Sequence, residues 1–353
     1  MKTTPNTTKK PFIIAGPCSA ETEEQVFEIA AQLSEIGKVN MLRAGIWKPR
    51  TRPGNFEGVG EIGLNWLVNA GKENNLPVTT EVANAKHVEL ALKAGVDMLW
   101  IGARTTVNPF SVQEIADAVK GTNIPIMIKN PINPDLQLWV GAIERIQKSG
   151  ISDISAIHRG FSSYEKTNFR NEPKWGIPIE LMRIFPDLPI ICDPSHIGGK
   201  RELIESISQK ALDMNMAGLM IETHHTPDKA WSDAAQQITP NILNQLLNNL
   251  VVRNKQSNNQ EFVTKLEDLR IDIDSLDEKL LHIVAERFQL TNQIGKYKKN
   301  QNITILQKDR WFEILKSRKE FGKSLNLNSE FIDQLLKLIH KESVAIQTKI
   351  MNK

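Results

Sequence analysis

Eight short apolar runs recur along the first two-thirds of the chain, separated by segments with helical spacing. They are Phe12–Ala15, Val39–Ala44, Pro77–Val82, Met98–Gly102, Pro125–Ile128, Ile154–Ile157, Pro189–Cys192 and Ala217–Ile221. Each is almost continuously hydrophobic rather than alternating, the pattern of a parallel strand covered on both faces. The intervening stretches, such as "EEQVFEIAAQLSEIG" and "AKHVELALKAG", repeat apolar residues at helical intervals, and many end at Gly or Asn, as helix C-termini do. Eight strand–helix repeats predict an α/β architecture, the (β/α)8 barrel. A doubly wound sheet is the alternative, but no Gly-x-Gly-x-x-Gly turn follows the first run.

The pattern stops near residue 253. "RNKQSNNQ" is polar and free of strand formers, so residues 1–252 are expected to form the barrel and 253–261 a linker. Residues 262–353 contain no proline and no convincing strand. Leu266, Leu269, Ile273, Leu276, Leu280, Ile283 and Val284 share one face of a long predicted helix, and 308–321 and 328–350 read as two more. The second domain is therefore predicted to be a small all-α, three-helix module. A helix that long cannot bury its stripe alone and needs partners. Two domains also suit 353 residues.

In a (β/α)8 barrel, chemistry gathers where strands end. The polar residues closing these runs are Cys18, Arg43 with "KPRT" (48–51), Glu81, Arg104, Lys129, His158 with Arg159, His196, and Glu222 followed by Asp233. They fall into two groups. Cys18, His196, Glu222 and Asp233 offer thiolate, imidazole and carboxylate donors, a set suited to a divalent Mn, Fe, Co or Zn ion. Taken alone, Cys18 reads as a small core residue sooner than as a ligand; ring closure of strand eight on strand one is what would bring the four together. Cys192, within a run, reads as core filler. The second group is cationic: Arg43, Lys48, Arg50, Arg104, Lys129 and Arg159. Six cations on one rim repel one another unless multiply charged anions, phosphates or carboxylates, occupy the site.

A net charge of +3 gives no case for nucleic acid, and no apolar stretch approaches the roughly 20 residues of a membrane span. The polar "MKTTPNTTKK" start does not look like a secretory signal, and two cysteines make no disulfide framework, so a reducing, cytoplasmic setting is expected.

The motifs "AGPCS", "RAGIWKPRT", "IGARTT", "IKNP", "HRG", "DPSHIGGKR" and "IETH…SD" occur in order over about residues 11–245. Together they resemble 3-deoxy-D-arabino-heptulosonate-7-phosphate (DAHP) synthase of the shorter Iβ class. The sister 3-deoxy-octulosonate 8-phosphate synthases, which use arabinose 5-phosphate, typically read Lys-Ala-Asn-Arg where this chain reads Lys48-Pro49-Arg50-Thr51. The resemblance implies condensation of phosphoenolpyruvate with erythrose 4-phosphate. It implies a metal on Cys18, His196, Glu222 and Asp233, and phosphoenolpyruvate on Arg43, Lys48, Arg104, Lys129 and Arg159. Arg50 and Thr51 would grip the aldose phosphate. Lys48, Cys18 and His196 would stand closest to the reaction.

The tail "LEDLRIDIDSLDEKLLHIVAERFQL", with "GKYK" and "ESVAIQ", resembles the all-helical (AroQ) chorismate mutases over about 264–350. That likeness implies a chorismate pocket of Arg270, Arg287, Lys298, Arg310, Ser343 and Gln347, with Lys298 and Gln347 facing the breaking ether oxygen. Arg270 would come from a second chain, implying a homodimer or homotetramer. Two positions depart from the family pattern: Gln307 and Trp311 stand where acids are usual. A rival expectation makes the module a non-catalytic sensor of chorismate or prephenate and a dimerisation element. Either way, the fusion suggests feedback on the barrel through domain docking.

Overall fold

The computed structural model describes residues 5, 10–48, 54, 56–164, 167–254 and 256–352. Eight parallel strands close into a barrel in sequence order: β1 (Phe12–Gly16), β2 (Met41–Arg43), β3 (Val78–Val82), β4 (Met98–Ile101), β5 (Ile126–Lys129), β6 (Ile154–His158), β7 (Ile190–Cys192) and β8 (Gly218–Glu222). Every apolar run became a strand, with its ends shifted by a residue or two. Pro77, Pro125 and Pro189 fall just outside because proline has no N–H for the ladder. Their carbonyls still accept from Leu42, Leu99 and Ala156. At the other end, β1, β5, β6 and β8 run on into Gly16, Lys129, His158 and Glu222, which extends the ladder into the polar rim.

Alternation along the strands builds two apolar layers. Phe12, Ile14, Met41, Met98, Trp100, Met127, Ile157, Ile191 and Met220 cluster together as the barrel interior. Their strand neighbours, among them Ile13, Leu42, Leu99, Ile128, Ile190 and Leu219, pack outward against the helices. Cys192 lies in this outer layer and is fully buried. Burying such side chains contributes about 1.5–3 kcal/mol each. Polar caps end the loops: Thr22, Asn84, Asp135 and Thr239 each accept a backbone N–H from the first turn of the helix that follows.

The chain divides into two compact units, Met1–Lys255 and Gln256–Lys353. The second is a long helix (Gln260–Asn300), a middle helix (Lys308–Ser324) and a last helix (Ser329–Met351). The long helix begins inside the stretch read as linker, because the Asn259 side chain accepts from Phe262 N and caps it. None of the described helices is long and apolar enough to cross a membrane.

One backbone position governs how the rim is assembled. Gly16 has φ of +146°, and a Cβ there would lie 2.0 Å from the Arg43 carbonyl oxygen. Only glycine lets β1 pass this close to β2. Gly16→Ala should therefore cost about 3 kcal/mol or more, seen as a clear fall in the urea midpoint of the barrel.

Candidate active site

The β1–β8 ladder pairs Gly16 with Glu222, so the turn after β1 and the end of β8 share one corner of the rim. Cys18, two residues beyond β1, is completely buried there. Its backbone N–H donates to Gln237 Oε1 at 3.0 Å, while its thiol lies 3.4 Å from Asp233 Oδ2. Cys18, Glu222 and Asp233 each bring a ligand atom within 4.8 Å of the other two. His196 stands at the edge of this trio, with Nε2 3.8 Å from Glu222 Oε1.

The ring of His196 is oriented from behind. Asp193 caps the short helix Pro194–Gly198 through His196 N, and its Oδ2 lies 2.8 Å from His196 Nδ1. The contact is close without being a well-directed hydrogen bond, and it leaves Nε2 on the side of Glu222. The same oxygen takes the Lys129 ammonium at 2.9 Å, so one carboxylate ties the imidazole to the cationic group. Burial holds His196 below its usual pKa, favouring the neutral form a metal requires. Gln236 donates to Glu222 Oε2 at 2.6 Å and accepts from Arg170, whose guanidinium also pairs with Asp233 at 3.1 Å.

The donor set fits a divalent cation on two counts. Glu222 Oε1 is buried and accepts no well-directed hydrogen bond, although Arg43 Nη2 lies 3.2 Å away. Burial, reinforced by Glu222, pushes the Cys18 thiol up to about 12. Thiolate formation therefore needs more positive charge than Lys48 and Arg43 supply, and a bound metal ion deprotonates a thiol outright.

The cations gather beside this corner. Lys48 Nζ donates to both the carbonyl and the sulfur of Cys18 at 3.0 Å. Arg43 is buried, and its Nε and Nη1 have no hydrogen-bond partner among the described residues. Arg159 is pinned by Asn171 Oδ1 at 2.6 Å, and burial lowers it to about 10, still charged at neutral pH. Arg104 is exposed, on the short helix after β4, and its charge also depresses Arg159. Arg50 and Thr51 lie outside the described residues. Buried donors aimed at no protein acceptor are groups built for an anionic guest.

Several residues of this network went unnoticed in the sequence. Asp193 could have been found: it stands three residues before His196 and just ahead of a proline, the signature of a helix cap. Gln236, Gln237, Arg170 and Asn171 carry no comparable local signal. They meet the site only through the fold.

The helical unit is amphipathic in the reverse sense. Its buried contacts include polar groups: Thr291, Ser343 and Gln347 are buried, and Arg287 donates to Ser343 Oγ at 2.8 Å. Gln347 Oε1 is buried without a partner among the described residues, and Lys298 donates to the Ile305 carbonyl at 2.5 Å. The apolar stripe instead faces outward: Leu269, Ile273, Leu276, Leu280 and Ile283 are each 48–62% exposed. Arg270 and Arg310 point outward too, paired with Glu267 and Glu313 on their own helices. So the structure brings Arg287, Ser343 and Gln347 together and leaves Arg270 and Arg310 on the surface. Gln307 is the N-cap of the middle helix but makes no side-chain cap bond. Trp311 stacks on His340 with ring centroids 3.8 Å apart.

A closed eight-strand barrel whose mouth sets a sulfur and two carboxylates among cations defines a (β/α)8 enzyme of anionic substrates, here followed by a helical module. The chain belongs to the DAHP synthetase I family, whose model matches residues 6–259, and it carries a chorismate mutase type II domain over 269–348. The phospho-2-dehydro-3-deoxyheptonate aldolase of Thermotoga maritima is 34% identical over 235 residues, 67% of this chain and 67% of that protein. The 2-dehydro-3-deoxyphosphooctonate aldolase of Dechloromonas aromatica is 26% identical, across 69% of this chain and 91% of that protein. The crystal structure of the Thermotoga DAHP synthase aligns with a TM-score of 0.62 and 32% identity, covering 68% of each chain.

Asp193→Asn would leave the Lys129 ammonium buried without its counter-charge. It should cost about 3–5 kcal/mol, read as a lowered urea midpoint, whereas Glu180→Gln on the exposed Arg183 pair should change almost nothing.

Proposed function

We propose that the barrel condenses phosphoenolpyruvate with erythrose 4-phosphate to give DAHP and inorganic phosphate, and that it does so with a metal ion. The observation carrying this reading is the Cys18–Glu222–Asp233 ligand set beside the buried Arg43, whose Nε and Nη1 have no partner among the described residues. Cys18, His196, Glu222 and Asp233 would hold the ion; their mixed sulfur, nitrogen and oxygen donors suit Mn, Fe, Co or Zn. When bound, it supplies Lewis acidity toward the aldehyde oxygen.

The protein's own groups do the positioning. Arg43, Lys129, Arg159 and Arg104 would bind the phosphate and carboxylate of phosphoenolpyruvate, with Lys48 adjoining the sulfur. Arg50 and Thr51 would take the aldose phosphate. Held this way, C3 of the enol phosphate faces the carbonyl carbon, and the fixed cations offset the negative charge of both substrates. Carbon–carbon bond formation leaves C2 electron-poor; water adds there and phosphate departs. The higher identity to the heptonate enzyme than to the octonate enzyme supports erythrose 4-phosphate over arabinose 5-phosphate. Phosphoenolpyruvate consumption should be at least about tenfold faster with the four-carbon aldose and should stop with chelator. Cys18→Ala should keep a native circular dichroism spectrum and lose about 100-fold or more in metal-restored turnover. Equal rates with the two aldoses, or full activity of the variant, would overturn the reading.

The helical domain would convert chorismate to prephenate, a rearrangement that needs only compaction of the substrate and stabilisation of charge on the breaking ether bond. Lys298 and Gln347 would face that oxygen, with Arg287, Arg310 and Ser343 on the carboxylates and Arg270 supplied by a second copy. The exposed apolar stripe supports such a homodimer, or a homotetramer built from it. A sensor reading draws on Trp311, whose indole is stacked on His340 where an acid is usual. Prephenate or chorismate on this module would lower barrel activity. In chain shortened to residues 1–253, phosphoenolpyruvate turnover should persist while its inhibition by prephenate disappears; retained inhibition would refute the control role.

A further inference from the structure

Beneath the cationic mouth lies an aromatic floor with no part in the account so far. Trp100 on β4 pairs in register with Glu81 of β3 and Met127 of β5, and its side chain joins the barrel interior. It is 1% exposed, resting on a layer that includes Met41, Met98, Met127 and Met220. Arg43 Cζ lies 4.9 Å from its ring centroid and Lys129 Nζ lies 5.6 Å away. Both are within the range of a cation–π interaction. The indole N–H donates to Glu81 Oε2 at 2.9 Å, which fixes the ring.

Two buried cations over a methionine layer pose a physical problem that Asp193 beside Lys129 and Glu222 beside Arg43 answer only in part. Carboxylates could neutralise them fully, but only by occupying the N–H donors that an anionic substrate must use. An aromatic face answers the charge through its quadrupole and occupies no donor. This matches the state of Arg43, which keeps Nε and Nη1 unpaired despite complete burial.

We propose that Trp100 is a positioning residue for the barrel's phosphoenolpyruvate site: its ring holds Arg43 and Lys129 oriented and available to the anion. The inference rests on the assignment of those two cations to that substrate. The test is progressive fluorination of Trp100, with mono-, di- and trifluorotryptophan introduced at this position alone in the full-length, metal-loaded enzyme. Fluorine drains the π face while nearly preserving shape, so packing stays the same. The Michaelis constant for phosphoenolpyruvate should climb stepwise, to about tenfold with three fluorines, while kcat changes less than about twofold. Trp100→Met should raise it at least as far, and Trp100→Phe, which keeps a ring, should recover most of the loss. A Michaelis constant flat across the fluorinated series overturns the proposal, whether or not Trp100→Met folds. Arg43→Ala and Lys129→Ala separate the two ideas. If they raise the constant while fluorination does not, the cation assignment stands and only the role of Trp100 falls. If they too leave it unchanged, both fall.

Discussion

Closure of the barrel between β1 and β8 is the constraint on which the rest depends. Five consecutive pairs, from Phe12 with Gly218 to Gly16 with Glu222, fix that seam. The seam is what sets Cys18 beside an acid more than two hundred residues away in sequence. Because side chains alternate along a strand, a slip of one residue would send Glu222 outward into the helical layer and remove the site. The apolar runs therefore do more than make a core: their register decides which polar residue faces the mouth. Gly16 belongs to the same constraint, since without its missing side chain β1 could not approach β2 at Arg43.

Electrostatic balance is the second theme. The mouth buries Arg43, Lys129 and Arg159 together with Asp193 and Glu222, an arrangement that is costly unless each charge is answered. The answers are uneven. Asp193 serves Lys129 and His196 at once; Arg159 leans on neutral amides; Arg43 retains free donors over an indole. Leaving part of the positive charge unanswered is what the proposed binding of anionic substrates would require.

The helical unit follows the opposite rule from the barrel. Thr291, Ser343 and Gln347 are buried in it along with Ile332, while much of its apolar stripe is exposed. Such an inversion is what the proposed chorismate pocket and homodimer would require. In the barrel, by contrast, apolar layers are sealed and polar groups collect at one end. The two units thus place their chemistry by different physical means, one by strand ends, the other by the contact between helices.

Periodicity in one dimension was enough to determine eight strands, their parallel arrangement, the change to helix near residue 253 and the polar residues closing each strand. These follow from hydrophobic pattern and backbone chemistry, which are local properties of the chain. Donor chemistry and the expected ring closure grouped Cys18, His196, Glu222 and Asp233, and the motif likeness added the expectation of a metal on them. Tertiary structure alone decided that Asp193 links imidazole to ammonium, that Gln236 and Arg170 brace the carboxylates, and that Trp100 underlies two cations. Asp193 as the cap of the helix that carries His196 is legible locally, but its tie to Lys129 and the other contacts join strands or loops that meet only when the ring is closed. Arg270 and Arg310 make the same point from the other side: sequence likeness assigned them to a pocket, whereas their positions in a single chain are set by neighbouring acids on their own helices.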